Sequence, residues 1–300
     1  MKRLIVTVTC GALAGFALSA NAALIGYWNA ANPGASPGTQ WDDLSGNGHH
    51  LASVDTGSGA PVHNSGSGSY TLNQANGFVG TGPSSDFDFD NSAGGSSADP
   101  YTFNVYMKWA GPNSGDVPYT IMTKAGGPGD QVQRPQVQHG HYTGHAFSLS
   151  WDQPDSLQLI QQTGNNSLRT GARRGDAGDG VGSLKDQDVM MTVTHDGTGT
   201  GGGLALYANG IELTASKFGQ GNINGSTLNG GALQIGTNDD TGGLTQTNNG
   251  FAGDLYFVEI YDTALTGEEV LNRFNSIPEP TTLALLGIGG GLLWWRRRIS

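Results

Sequence analysis

Between residues 23 and 276 the apolar side chains arrive in short bursts, each cut off by a cluster of Gly, Asn, Asp or Ser. Gly alone accounts for 50 of the 300 residues. Punctuation this dense leaves little room for helices and dictates short strands joined by turns. Runs at residues 24–28, 77–79, 101–109, 119–123, 146–151, 157–161, 188–195, 204–208, 232–235 and 250–261 read as those strands. The run 101–109 is the cleanest, because Tyr101, Phe103, Val105, Met107 and Trp109 share one face of an extended chain. Phe251, Leu255, Phe257 and Glu259 alternate less cleanly in the last run. Asn209-Gly210 between two apolar runs is a type I′ hairpin signal. One helix start is evident: Thr266 as N-cap, Glu269 at the capping-box position, and Val270, Leu271 and Phe274 as the apolar side. Segments 57–69 and 219–231 read as connections. With no internal repeat and no evident linker, residues 23–276 are expected to form one antiparallel sandwich.

The two ends have a different character. Lys2 and Arg3 precede an apolar stretch that runs to about Leu18, and Ala20-Asn21-Ala22 gives a small-x-small pattern. Residues 1–22 therefore read as a secretory signal peptide cut by signal peptidase after Ala22. Cys10, the single cysteine, lies inside it, so the exported chain carries no disulfide. At the other end, Pro278-Glu279-Pro280 is followed by an apolar run over residues 281–295 and then by Arg296-Arg297-Arg298. The run has about 15 residues where a comfortable span needs ~20. Its order is nevertheless that of a membrane stop, with Trp294 and Trp295 at interfacial depth and cations beyond. Residues 277–300 resemble the PEP-CTERM sorting signal of Gram-negative bacteria. That resemblance implies a membrane exosortase that removes the tail and a destination at the cell surface or beyond.

The formal net charge of −11 excludes a basic footprint for nucleic acid. Removing both ends takes away Lys2, Arg3, Arg296, Arg297 and Arg298 but only one acid, Glu279, so the exported part is more acidic still. Glu occurs only at 212, 259, 268, 269 and 279; the other acids are Asp, crowded among glycines as in turns and cation loops. Sugar hydrolysis on a β-sandwich calls for paired carboxylates at close spacing, and no E-x-D-x-E pattern is present. Neither a G-x-S-x-G elbow nor a phosphate-binding loop nor a zincin motif appears in the sequence. A non-catalytic chain is expected.

Six motifs, in order, resemble the laminin-G-like (concanavalin A-like lectin/glucanase) jelly roll. Gly26-Tyr27-Trp28-Asn29 and the loop Asp43-Leu44-Ser45-Gly46-Asn47-Gly48-His49-His50-Leu51 look like its opening strand and D-x-S-G-N-G loop. Residues 101–109 are similar to its aromatic strand. The stretch from Val189 to Gly197, followed by Leu206-Tyr207-Ala208-Asn209-Gly210, resembles its central hairpin. Leu233-Gln234-Ile235-Gly236 and the closing segment from Phe251-Ala252-Gly253 to Glu269 complete the series. Where the family often has an Asp soon after the closing F-x-G-x-i, this chain has Tyr256, with Asp254 nearby.

The resemblance implies a structural calcium ion, for which Asp43, Asn47 and Asp254 are the candidate oxygen ligands. Gly46 and Gly48 give that loop the freedom to bend. Asp86-Phe87-Asp88-Phe89-Asp90 alternates as a strand would, Phe pair inward. The segment Gly175-Asp176-Ala177-Gly178-Asp179-Gly180 reads as a loop, as does the one bearing His139, His141 and His145. For sugar stacking, Trp41, Tyr119, Tyr142 and Trp151 are candidate platforms. The reading is thus an exported, exosortase-sorted surface or extracellular-matrix protein with a jelly-roll module. Its expected ligand is extracellular polysaccharide; a structural or adhesive protein without a sugar site is the alternative, and a glycoside hydrolase or lyase is least favoured.

Overall fold

The computed structural model describes residues 22–55, 59–81, 85–87, 89, 99–110, 119–125, 145–152, 156–163, 166–173, 186–198, 203–213, 217–218, 232–237 and 250–277. The expected signal peptide up to Asn21 and the tail from Pro278 lie outside the described residues, as do His139, His141, Tyr142 and the expected loop at 175–180. In chain order the strands are β1 (Leu24–Asn29), β2 (Gln40–Trp41), β3 (Leu51–Asp55), β4 (Val62–Asn64), β5 (Ser69–Asn73) and β6 (Asn76–Gly80). There follow β7 (Tyr101–Trp109), β8 (Tyr119–Ala125), β9 (His145–Asp152), β10 (Ser156–Thr163), β11 (Asn166–Arg173) and β12 (Asp188–His195). The last are β13 (Leu204–Ala208), β14 (Ile211–Glu212), β15 (Lys217–Phe218), β16 (Leu233–Ile235) and β17 (Ala252–Tyr261), then helix α1 (Gly267–Asn275).

All ten expected runs are strands. Strands β2, β3, β4, β5, β11, β14 and β15 are additional; they are short or polar and carry no apolar burst. Segment 57–69, expected as a connection, holds β4 and the turn into β5. The expected strand at 86–90 is instead a 3₁₀ turn over Ser85–Phe87, although Phe87 and Phe89 are buried as the alternation requires.

Two antiparallel sheets face each other. One has the order β14-β13-β12-β7-β17-β5-β4, with β1 also paired to β17; the other runs β15-β11-β10-β9-β8-β16-β6-β3-β2. Between them lies one core, in which Tyr101, Phe103, Val105, Met107 and Trp109 are all buried as their period-two spacing predicts. Trp41 sits 5.0 Å from both Tyr70 and Phe78, ring centroid to centroid, and is wholly buried. It is a core residue and not a sugar platform. Asn209 and Gly210 both take positive φ, 52° and 77°, as a type I′ turn demands.

Strand β17 organises the first sheet. Its first half pairs with β5 and its second half with β1, while β7 runs along the whole of it. A register shift against β7 between Leu255 and Phe257 leaves Tyr256 as an extra residue. Before the bulge Leu255 points into the core; after it Val258 and Ile260 do. Phe257 joins the cluster on the outer face, and Glu259 and Tyr261 meet there through a hydrogen bond. The imperfect alternation of this run has that cause. Gly253 makes the approach possible, since a Cβ there would lie 2.0 Å from the Lys108 carbonyl oxygen.

Helix α1 covers part of the outer face of the first sheet, with Val270, Leu265, Tyr207, Phe257, Tyr261 and Met190 forming a second apolar cluster. Its capping box forms as expected: Thr266 Oγ1 accepts from the Glu269 N–H, and Thr266 N–H donates to Glu269 Oε2 at 2.8 Å. Beneath the helix, the Arg273 guanidinium holds the Glu259 carboxylate at 2.6 Å, and Asn104 Nδ2 donates to the same group at 3.1 Å. Thr192 Oγ1 donates to Asn104 Oδ1 at 2.8 Å, which completes the buried network.

One buried ionisable group lies at the far end of β12. His195 is wholly buried and stacks on Tyr101 with centroids 5.2 Å apart. Burial holds its imidazole below the usual histidine range, so the fold keeps it neutral. The unfolded chain takes up this proton below pH ~6.5, whereas the folded chain does so only at lower pH. Stability from this residue is therefore complete above pH ~6.5 and is lost as pH falls towards the folded value. Urea unfolding of the wild type and of His195→Phe, which keeps the stack, should show a stability difference that changes across this window and is flat above it.

Candidate functional site

The loop after β2 shows what Asp43 does. Its Oδ1 accepts from the N–H groups of Tyr27 (3.0 Å) and Ser45 (2.9 Å), and its Oδ2 accepts from Ser45 Oγ (2.8 Å) and the His49 N–H (2.9 Å). Burial pushes this carboxyl up, but the hydrogen bonds from Ser45, His49 and Tyr27 outweigh it and hold the group below its ordinary range. Asn47 uses its side-chain amide to donate to the carbonyls of Ile25 (3.1 Å) and Leu24 (3.2 Å). Gly46 and Gly48 take positive φ as expected. The loop is thereby stitched to β1, and the Trp28 indole fastens it further by donating to the His49 carbonyl at 2.8 Å.

A calcium ion needs six to eight oxygen ligands, and the three expected side chains do not converge to supply them. Both oxygens of Asp43 are engaged by protein donors, and Asn47 faces its neighbours with N–H groups. Asp254 lies elsewhere: it pairs with Thr71 on β5, four residues along β17 from Val258, the partner of Trp28. Four residues of strand amount to roughly 13 Å. The structure thus brings Asp43 and Asn47 together but not Asp254. Among the described residues no group of three or more His, Cys, Asp or Glu converges as a metal site.

Asp254 belongs to a different constellation, on the part of the outer sheet face where Tyr106 and Tyr256 remain partly exposed. Register places Val62, Thr71, Asp254, Lys108 and Asp188 in one row across β4, β5, β17, β7 and β12. At ~4.8 Å per strand, the row from Thr71 to Asp188 covers about 14 Å. The hydroxyl of Thr71 donates to Asp254 Oδ1 and accepts from Asn64 Nδ2, the latter at 2.7 Å. Beside this row two half-buried tyrosines meet: Tyr106 and Tyr256, ring centroids 4.8 Å apart and planes at 35°. Tyr256 Oη donates to Asp188 Oδ1 at 2.7 Å. Burial first, then the neighbouring Asp188, push both phenols above their usual range, so both remain hydroxyl donors at any physiological pH.

Of this face, the sequence singles out only Asp254 as a candidate site residue. The signal that pointed there was Tyr256 standing where the resembled family often has an Asp. The bulge turns that departure into a surface feature, because it places Tyr256 and Phe257 on the same face. Of the aromatic residues expected as platforms, Trp41 is buried, Tyr119 and Trp151 are register partners on β8 and β9, and Tyr142 lies outside the described residues.

The C-terminal end of the fold leads straight into the tail. Ser276 Oγ bonds the Arg273 carbonyl oxygen at 2.6 Å and Arg273 Nη1 at 2.7 Å, and Ile277 packs against the cluster beneath α1. Residues 276–298 match the family described as the PEP-CTERM protein-sorting motif. The chain carries a PEP-CTERM tail. This protein is therefore exported and exosortase-sorted, and it is anchored in the membrane before processing. The first two residues of its PEP-CTERM motif are still part of the folded domain. Among the described residues no helix is long and apolar enough to cross a membrane.

A search of curated proteins finds no match. Solved structures of similar fold include the binding domain of Paraclostridial Mosquitocidal Protein 1, at 15% identity and TM-score 0.52, covering 84% of this chain and 52% of that one. The binding domain of botulinum neurotoxin serotype G is similar at 14% identity and TM-score 0.52, covering 84% and 50%. A botulinum neurotoxin type C structure follows at 11% identity and TM-score 0.51, covering 86% and 52%. The PEP-CTERM protein thus spans about half the length of each of these three structures. At these identities the likeness establishes the antiparallel β-sandwich and nothing about its ligands.

Proposed function

We propose that this domain is a non-catalytic module that binds extracellular polysaccharide at the surface of a Gram-negative cell, and that the Tyr106–Tyr256 face takes the sugar. The observation that supports the reading is the juxtaposition itself: two partly exposed aromatic rings beside a row of carboxylate, amine and hydroxyl groups. A pyranose offers an apolar C–H face for an aromatic ring and an edge of hydroxyls for Asp, Lys and Thr. An aromatic ring supplies area with little conformational entropy to lose, and a few placed polar groups fix orientation. Two carboxylates against one amine in the row favour a neutral glycan over an acidic one. The botulinum neurotoxin type C structure is described through its interaction with two ganglioside molecules. That statement concerns the toxin alone.

The exported protein should bind neutral polysaccharides saturably in a panel of neutral and acidic glycans. Tyr256→Ala and Tyr106→Ala should each weaken that binding about tenfold, since a stacked aromatic contact is worth ~1–2 kcal/mol. Absence of saturable binding, or binding that both substitutions leave intact, would remove the reading. The second reading, an adhesive surface protein without a sugar site, is favoured by the edges of the first sheet. There β4 and β14 each expose an apolar side chain, Val62 at 58% and Ile211 at 60%. Concentration-dependent self-association without glycan binding would support it.

A further inference from the structure

Among the described residues the hydrogen-bonded fold begins at Ala23. Its N–H donates to Asp262 Oδ1 at 2.9 Å, and its carbonyl accepts from the Asp262 N–H at 3.1 Å. From Leu24 onward β1 is paired with β17, beginning with Leu24 against Tyr261. Ala22, immediately before, is partly buried against the cluster that α1 and Ile277 also pack on. The small-x-small pattern of Ala20-Asn21-Ala22 ends one bond before the residue that Asp262 holds.

We propose that Asp262 is the acceptor for the α-ammonium that the expected cut between Ala22 and Ala23 creates on Ala23. Water is added across the Ala22–Ala23 peptide bond; the carboxylate leaves with Ala22, and Ala23 keeps the amine, which is protonated at neutral pH. The hydrogen bond that an uncharged amide makes to Asp262 in the precursor becomes an ion pair in the mature chain. Maturation thus strengthens the contact between the start of β1 and the segment that joins β17 to α1. The proposal rests on residues 1–22 acting as a secretory signal, and it is independent of any sugar site.

The test uses the full chain, exported from a host with signal peptidase, as wild type and as Asp262→Asn. Intact mass and N-terminal sequencing should give Ala23 as the first residue. Pulse labelling with an acylating reagent near neutral pH, read on the N-terminal peptide by mass spectrometry, should then run about threefold faster in Asp262→Asn. An exposed ion pair of up to ~1 kcal/mol predicts a factor of that size. Thermal unfolding of the variant serves as the folding control, since Asp262 is exposed. An exported chain starting at any other residue overturns the expected cut and leaves Asp262 no ammonium to accept. A start at Ala23 with equal labelling rates overturns the role of Asp262.

Discussion

Arg273→Met should destabilise the domain by ~3–5 kcal/mol, the usual loss when one partner of a buried ion pair is removed. The substitution keeps the aliphatic stem but leaves Glu259, 3% exposed, without its cation. Three contacts of 3.0 Å or less tie the guanidinium to that carboxylate. It also lies 4.7 Å from the centre of the Phe257 ring, so an aromatic contact is lost as well. In a domain of this size the loss corresponds to a fall in Tm of roughly 10 °C. The double variant Glu259→Met/Arg273→Met should recover only part of it: apolar side chains replace a buried pair at little cost, but Asn104 Nδ2 and Tyr261 Oη lose their acceptor. Thermal and urea unfolding of the exported protein measure both. A loss below about 1 kcal/mol for Arg273→Met would mean that the apolar cluster alone holds α1. The consequence reaches the tail, since α1 ends where the sorting motif starts.

Asp43→Ala should cost ~2–4 kcal/mol, because the carboxylate satisfies three backbone N–H groups and a hydroxyl that would be left with partial or no partners. The cost should be the same with millimolar calcium as with a chelator. A rise in Tm with calcium that Asp43→Ala abolishes would instead make Asp43 a metal ligand. The pH dependence gives a second check. The folded pKa lies below the ordinary value of 3.8, so the stabilisation is present above pH ~4 and is lost as pH falls through the folded value. The gap between wild type and Asp43→Asn should therefore narrow only in strong acid.

The Asp43 loop shows how far a motif can be carried. The sequence pattern D-x-S-G-N-G identified a fixed loop and named its two central residues, Asp43 and Asn47. The same oxygens have two uses in such a loop, binding a cation or binding the backbone. Which one holds depends on whether Tyr27 and His49 bring their N–H groups to the carboxylate, and Tyr27 is 16 residues away. Asp254 shows the opposite limit. Its place in the sequence suggested company with Asp43, yet its neighbours are Thr71, 183 residues distant, and Lys108 on β7. His195 shares its strand face with Val189, Met191 and Val193, but its complete burial and its stack on Tyr101 come from the packing of two sheets.

What the sequence determined by itself was local. Period-two alternation, Asn209-Gly210, the Thr266–Glu269 capping box and the order of the PEP-CTERM tail each depend on residues within a few positions of one another. Those signals gave the fold class, the ten apolar strands, the helix and the sorting route. Only the tertiary structure decided the strand neighbours, and with them the chemistry of the surface. The Tyr106–Tyr256 pair, the Asp254–Lys108–Asp188 row, the Arg273–Glu259 ion pair and the Ala23–Asp262 contact all arise from register. Register is set by which distant strands share a core, and a one-residue bulge such as that at Tyr256 turns the following side chains to the opposite face.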